Sequence, residues 1–153
     1  MIEVSNTKIV AITPPAAIVD NAAFTTTAID TKGYKHLRIV LYLGATDIAF
    51  AGVKAQESDD SGMSGAADIT GAIFGTSTNT AGATSAVPSA TDDNKFFGID
   101  ISLDGSRKRY IDLVMTGGDG TAGTYATAFA ILSRPEQSPN TAAEEGYDEM
   151  LRV

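Results

Sequence analysis

The chain has 153 residues, 43% of them hydrophobic and 20% charged, the size of one globular domain and too apolar for a wholly disordered one. Nineteen acidic side chains against eleven basic ones leave a net charge of −8, which repels phosphate backbones and argues against nucleic-acid binding. Cysteine is absent and His36 is the one histidine, so disulfides, thiol catalysis and thiolate metal sites are excluded and imidazole chemistry has little to work with.

Met1–Asn6 carries an early acid, Glu3, and no continuous apolar run, which does not fit a secretory signal. The longest apolar stretches, Ile39–Leu43 and Ala126–Leu132, fall far short of the roughly 20 residues that span a bilayer. Residues 1–20, with Pro14-Pro15 inside them, read as an N-terminal arm or edge strand, and Lys8–Ile12 as a weak strand. Ala23–Ile29, with its run Thr25-Thr26-Thr27, is a second weak strand. Lys35–Gly44 (KHLRIVLYLG) has the strongest period of two: Leu37, Ile39, Leu41 and Leu43 share one face, which should point inward. Ile48–Ala55 and Asp68–Phe74 are weaker strands, and the uncharged Gly75–Thr91 is a long surface loop.

Asn94–Leu103 and Arg107–Thr116 both alternate, with Phe97, Ile99 and Ile101 on one face of the first and Ile111, Leu113 and Met115 on one face of the second. Asp104-Gly105 between them is a hairpin signal, so the two strands are predicted to pair with each other. Gly117–Gly123 then reads as another hairpin turn. In Thr124–Ser133, Tyr125, Thr127, Phe129 and Ile131 share one face, with Phe129 and Ile131 expected in the core, against Ala126, Ala128, Ala130 and Leu132, whose small alanines another layer or subunit could approach. Beyond Arg134-Pro135, residues 135–153 read as a C-terminal arm in which Asn140–Glu145 resembles a polar helix start.

The pattern as a whole predicts an all-β fold: an antiparallel β-sandwich, jelly-roll-like, spanning residues 21–134, with extended N- and C-terminal arms at 1–20 and 135–153. Helix should cover less than about a tenth of the chain. The predicted core is Leu37, Ile39, Leu41, Leu43, Phe97, Ile99, Ile101, Ile111, Leu113, Phe129 and Ile131.

No catalytic, cofactor-binding or metal-binding residue is assigned, and no cofactor is expected. The glycine-rich run Gly117–Gly123 lacks the following helix and lysine of a phosphate-binding loop. Glu57-Ser58-Asp59-Asp60-Ser61-Gly62 with Asp68 offers oxygens to calcium, but the ligand spacing of a helical calcium loop is missing. Asp92-Asp93 is weaker still. Asp100 and Asp112 sit on strand faces where Lys35, Arg38 or Arg109 can pair with them across a sheet. A Ser–His–Asp assembly around His36 is formally open, although no Gly-x-Ser-x-Gly elbow occurs. Arg107-Lys108-Arg109, the one dense basic cluster, is best explained by cross-strand or intersubunit salt bridges.

The stretches YKHLRIVLYLGATDIAFAGVKAQESDD (Tyr34–Asp60), SGMSGAADITG (Ser61–Gly71) and RKRYIDLVMTGGDGTAGTYATAFAILSRPEQSP (Arg107–Pro139) resemble capsid decoration, or cement, proteins of tailed bacteriophages. The resemblance implies a β-rich homotrimer on the outside of the phage head, made in the host cytoplasm and bound to the major capsid protein where capsomers meet. No nucleic acid, membrane or enzymatic activity is expected. The terminal arms are expected to order on the shell, as segments with too few apolar positions to fold alone do. A ligand- or carbohydrate-binding jelly-roll module of a phage fibre or tail is the alternative. The lack of Trp counts against it, since sugar platforms are aromatic, and leaves Tyr34, Tyr42, Tyr110, Tyr125 and Tyr147 as candidates. A small hydrolase using loop carboxylates has the least support.

Overall fold

The computed structural model describes residues 6–13, 17–139 and 141–151; Pro14-Pro15 and Asn140 lie outside them. Ten strands follow in chain order: β1 (Thr7–Ala11), β2 (Ala17–Val19), β3 (Ala23–Thr25), β4 (Ile29–Asp30), β5 (Tyr34–Thr46), β6 (Gly52–Ser58), β7 (Ala67–Ile73), β8 (Phe96–Ser102), β9 (Tyr110–Thr116) and β10 (Thr124–Pro135). No helix forms among the described residues. The strands make two antiparallel five-stranded sheets: β1-β10-β5-β8 with β2 also on β10, and β3-β9-β6-β7 with β4 also on β9.

The sandwich interior is where the period-two reading places it. Leu37, Ile39, Leu41 and Leu43 of β5 are buried, joined by Ile99 and Ile101 of β8, and they face Ile111, Leu113 and Met115 of β9 and Val53 and Ala55 of β6. Phe97 is half-buried against this core.

Three expectations are overturned. Asn94–Leu103 and Arg107–Thr116 do not form a hairpin: β8 pairs with β5, and β9 lies in the other sheet beside β6. Asp104 to Arg107 is still a tight turn, closed by the Arg107 N–H donating to the Asp104 carbonyl at 3.0 Å. It carries the chain from the edge of one sheet to the middle of the other. Gly105 takes no positive φ there, so the backbone twist of a two-residue hairpin is absent. Two strands with one fully apolar face each bury more area by facing across a sandwich than by lying side by side.

The faces of β10 are also reversed. Ala126, Ala128, Ala130 and Leu132 point into the core, while Phe129 and Ile131 are half-buried on the outside. Both faces of this strand are apolar, so alternation alone does not choose between them. Packing decides it. Ala126, Ala128 and Ala130 stand beside Leu43, Leu41 and Ile39 of β5, so each large side chain has a small lateral neighbour and the layer fills without overlap. The alanine face is therefore not available to another subunit. Gly117–Gly123, finally, is no hairpin turn: it passes from β9 of one sheet to β10 of the other.

Beyond β10, the chain turns back on its own first strand. Residues 141–147 form a compact turn in which Thr141 and Glu144 exchange side-chain-to-backbone bonds, as in a helix capping box. The Ile9 N–H donates to the Glu145 carbonyl at 2.8 Å, and Glu145 is buried. Gly146 has φ +89°, and a Cβ there would overlap the Ile9 carbonyl. The outer edge of β1 is thus covered by the chain itself, which hides its unpaired backbone groups from other strands.

Urea denaturation checks the packing assignment. Leu41→Ala is expected to lose about 2–5 kcal/mol, and Ala128→Leu about 1–3 kcal/mol through overpacking. Ile131→Ser, on the outer face, is expected to lose less than about 1.5 kcal/mol.

Candidate functional site

The outward side of the first sheet is the surface whose composition departs most from a solvated strand face. Register puts its residues in rows across β1, β10, β5 and β8. Thr7, Ser133, His36 and Ser102 make a polar row, followed by Ile9, Ile131, Arg38 and Asp100, then Ala11, Phe129, Val40 and Gly98, and last Thr127, Tyr42 and Phe96. The face therefore grades from polar at one end to apolar and aromatic at the other. Phe96 is 67% exposed and its ring stacks on Tyr42, with centroids 4.7 Å apart. The Tyr42 hydroxyl donates to Asn94 Oδ1 at 3.3 Å. Tyr125, also exposed, sits where the β10–β5 register shifts. Gly44 makes room for it, since a Cβ at Gly44 would stand 2.9 Å from that of Tyr125.

At the polar end, Ser133, His36 and Asp100 come into line. His36 Nδ1 is 3.0 Å from Ser133 Oγ, and Nε2 is 3.4 Å from Asp100 Oδ1. The order is that of a nucleophile, a base and an orienting carboxylate. Ser133 lies in ladder register with Thr7 on one side and His36 on the other, so its backbone groups are not free to hold an oxyanion. Asp100 is gripped in bidentate fashion by Arg38, at 2.7 and 3.0 Å, which holds its carboxyl below the usual range.

The glycine-rich loop does form an anion cradle, and its occupant is internal. Asp47 Oδ2 accepts the N–H groups of Thr121 and Ala122, the latter at 2.7 Å. These bonds, Ala122 first, lower the Asp47 pKa. A Cβ at Gly120 would overlap the Asp47 carboxylate, which explains glycine at that position.

Most of the other carboxylates singled out in the sequence are similarly engaged. Asp68 is held by Lys54 at 2.8 Å and by the Gln56 amide at 2.6 Å. Asp60 accepts the Gly62 N–H at 2.7 Å, and Glu57 Oε2 lies 3.4 Å from Arg107 and accepts the Lys108 N–H. Asp92 accepts from Lys95 and Ser89, which pull its pKa down to about 2, and Asp93 accepts the Thr46 N–H. Arg109 makes a bidentate pair with Asp30 at 2.7 and 2.8 Å. Arg107 and Arg109 of the basic cluster are thus used in ion pairs with Glu57 of β6 and Asp30 of β4. No group of three or more His, Asp or Glu side chains able to hold a metal occurs among the described residues.

Asp112 is the exception. It stands beside Gln56 on β9, is 1% exposed, and its Oδ1 has no hydrogen-bond partner. Burial pushes its pKa up to about 6. Apolar neighbours in the sequence single out Asp100 and Asp112 as the carboxylates that stand out as buried; Asp112 is, without the cross-strand partner expected for it, whereas Asp100 is exposed.

A cavity of about 230 Å³ opens between Gly71–Phe74, at the end of β7, and Gly98–Asp100 of β8, and is lined also by Ser77–Thr80 and Ser85 of the long loop. It adjoins a more open hollow of about 390 Å³ beside Asp68, Thr70 and Thr76, within the roughly 300–1,000 Å³ of small-molecule pockets. No family model, curated protein or solved structure matches the chain.

The sign of the Asp112 effect is fixed by linkage. A carboxyl raised above 3.8 in the folded state penalises the ionised form, so its contribution is most favourable at low pH and is lost as pH rises through about 6. The depressed carboxylates, Asp30, Asp68 and Asp100, act the other way and lose their contribution as pH falls below the ordinary range. Stability should therefore peak near pH 4 and decline by about 2 kcal/mol toward pH 7, most of it below pH 6. Asp112→Asn should remove most of that decline, as read from urea midpoints across pH.

Proposed function

We propose that this protein is a structural component of a phage virion that binds the outside of the capsid at capsomer junctions and stabilises the head, acting as a homotrimer on the major capsid protein. The observation that carries this reading is the graded outer face of the first sheet. An exposed aromatic pair, Phe96 on Tyr42, sits with Tyr125, Val40, Phe129 and Ile131 on a surface that a solvated sheet would cover with polar side chains. Such a surface fits binding by area to another protein, and its neighbouring ion pairs are arranged to hold the sheet rigid. The resemblance over Tyr34–Asp60, Ser61–Gly71 and Arg107–Pro139 supplies the partner. With Ala126, Ala128 and Ala130 buried in the core, the trimer contact falls on other surfaces. A shell that is bound only when assembled gains stability by mass action.

The carbohydrate-binding reading keeps one observation in its favour: an exposed Phe96 ring beside the Tyr42 hydroxyl and the Asn94 amide is also a platform for a sugar ring.

The test is co-sedimentation of the purified protein with capsids from the phage whose genome encodes it. Wild-type protein should pellet with the shells and raise their resistance to heat. Phe96→Ser should weaken capsid binding about tenfold or more while moving the urea midpoint of the free protein little, since the ring is exposed. Absence of binding to shells, together with Phe96-dependent binding on a glycan array, would transfer the function to the carbohydrate reading.

A further inference from the structure

The two sides of the sandwich are finished differently. On one side β1 is covered by Glu145 and Gly146. On the other, β8 ends the first sheet and β7 the second, with the 230 Å³ cavity between them. The edge of β7 is blunted: its register shifts against β6, Gly71 takes φ +89°, and the Ile73 N–H is met by Ser77 Oγ at 3.0 Å. The edge of β8 has no such device. Its register with β5 is unbroken over seven pairs, and it contains neither proline nor lysine.

The phase of the β5–β8 ladder says which groups are left over. Leu43 donates to the Lys95 carbonyl and Leu103 to the Lys35 carbonyl, so the odd-numbered residues of β8 bond to β5. In an antiparallel pair the intervening residues point their N–H and C=O groups away. Those of Gly98, Asp100 and Ser102 therefore face outward, and β8 has no second strand neighbour among the described residues.

Gly98 is the second observation. It weakens a strand, yet the chain's own packing does not require it. It has no positive φ, and a Cβ there would come no closer than 3.8 Å to its nearest neighbour, the Ile39 carbonyl. Glycine in a strand goes with a bulge, a bend, or the close approach of a ligand or another backbone, and the unbroken register at Gly98 removes the bulge.

We propose that β8 is a strand-addition site, at which one extended, non-acidic segment of a partner protein lies along Phe96–Ser102 as a further strand of the first sheet. Only an extended backbone meets outward N–H and C=O groups at alternate residues in full. An apolar side chain of that segment enters the cavity beside Phe74 and Ile99, and the net charge of −8 on this chain selects against acidic segments. This inference is independent of the capsid reading, since it concerns the edge of the sheet and not its outer face.

The experiment pans the full-length protein against a displayed library of unstructured peptides of about ten residues, then maps the enriched synthetic peptide by amide exchange and NMR shifts. Enriched peptides should carry β-branched or apolar residues at alternate positions. They should slow exchange at Gly98, Asp100 and Ser102 about tenfold or more, and bind Gly98→Pro or Ser102→Pro about tenfold more weakly. Proline at either position removes only an outward N–H, so the ladder with β5 is kept. The exchange readout uses the wild-type protein and decides the matter even where a proline variant does not fold. No enrichment, or peptides whose effects map to the Phe96–Tyr42 face and survive both prolines, would overturn the proposal. So would a wild-type dimer that Gly98→Pro dissociates, because a second copy of the chain would then occupy the edge.

Discussion

The pairing of β5 with β10 is the constraint on which the other features rest. These are the two longest strands, and β10 also carries β1 and β2 while β5 carries β8, so the first sheet is assembled on their ladder. The ladder sets leucine and isoleucine beside alanine along its inner side, and that choice fixes what lies outside. Once the alanines face inward, Phe129, Ile131 and Tyr125 have nowhere to point except away from the core. The exposed apolar face is thus the counterpart of the way the interior is filled. A core built on a larger β10 side chain would need the second sheet to move outward, losing the close packing that stabilises β9 and β6 against it.

Charge is arranged to hold backbone. Asp47 fills a cradle of loop amides, Asp30 and Asp100 clamp arginines on neighbouring strands, and Asp68 ties β7 to β6. Each of these pairs is at least partly exposed and individually adds little stability. Their shared effect is positional: they fix the strands and loops that border the outer face and the β8 edge. Among the described residues, Asp112 alone carries a buried side-chain oxygen without a hydrogen-bond partner, and it lies in the second sheet.

The inner face of β5 was legible in the sequence because its alternation is unambiguous: leucine and isoleucine on one side, His36 and Arg38 on the other. The same logic failed for β10, where both faces are apolar and only the neighbour's side-chain size decides. Asp104-Gly105 announced a turn correctly but not its partner strands, since turn chemistry is local and sheet membership is a matter of the whole core. The surface features were less legible. Alternation sets Phe97 on the inner face and Phe96 on the outer one, but nothing local says that the Phe96 ring is left uncovered. The Asp47 cradle joins residues 74 and 75 positions apart, a distance over which spacing carries no signal. Gly98 could have been noticed as an isolated glycine inside a strand pattern, which is a marker of close backbone approach.

An edge strand is a hazard that a chain either covers or uses. This chain covers β1 with its own C-terminal turn, at the expense of a glycine held at positive φ, and it breaks the regularity of β7 with a register shift and a loop hydroxyl. Against that background, a regular β8 with a glycine at its centre is the feature that intramolecular packing does not account for. The outer aromatic face and the bare edge meet at β8, since Phe96 belongs to both. A partner that lays a strand on the edge is brought beside the aromatic face in the same encounter. The second contact then forms at the high effective concentration set by the first, so two modest surfaces can act as one strong site. The geometry needed for this is already formed in the isolated chain, which keeps the ordering cost of binding on the partner's side.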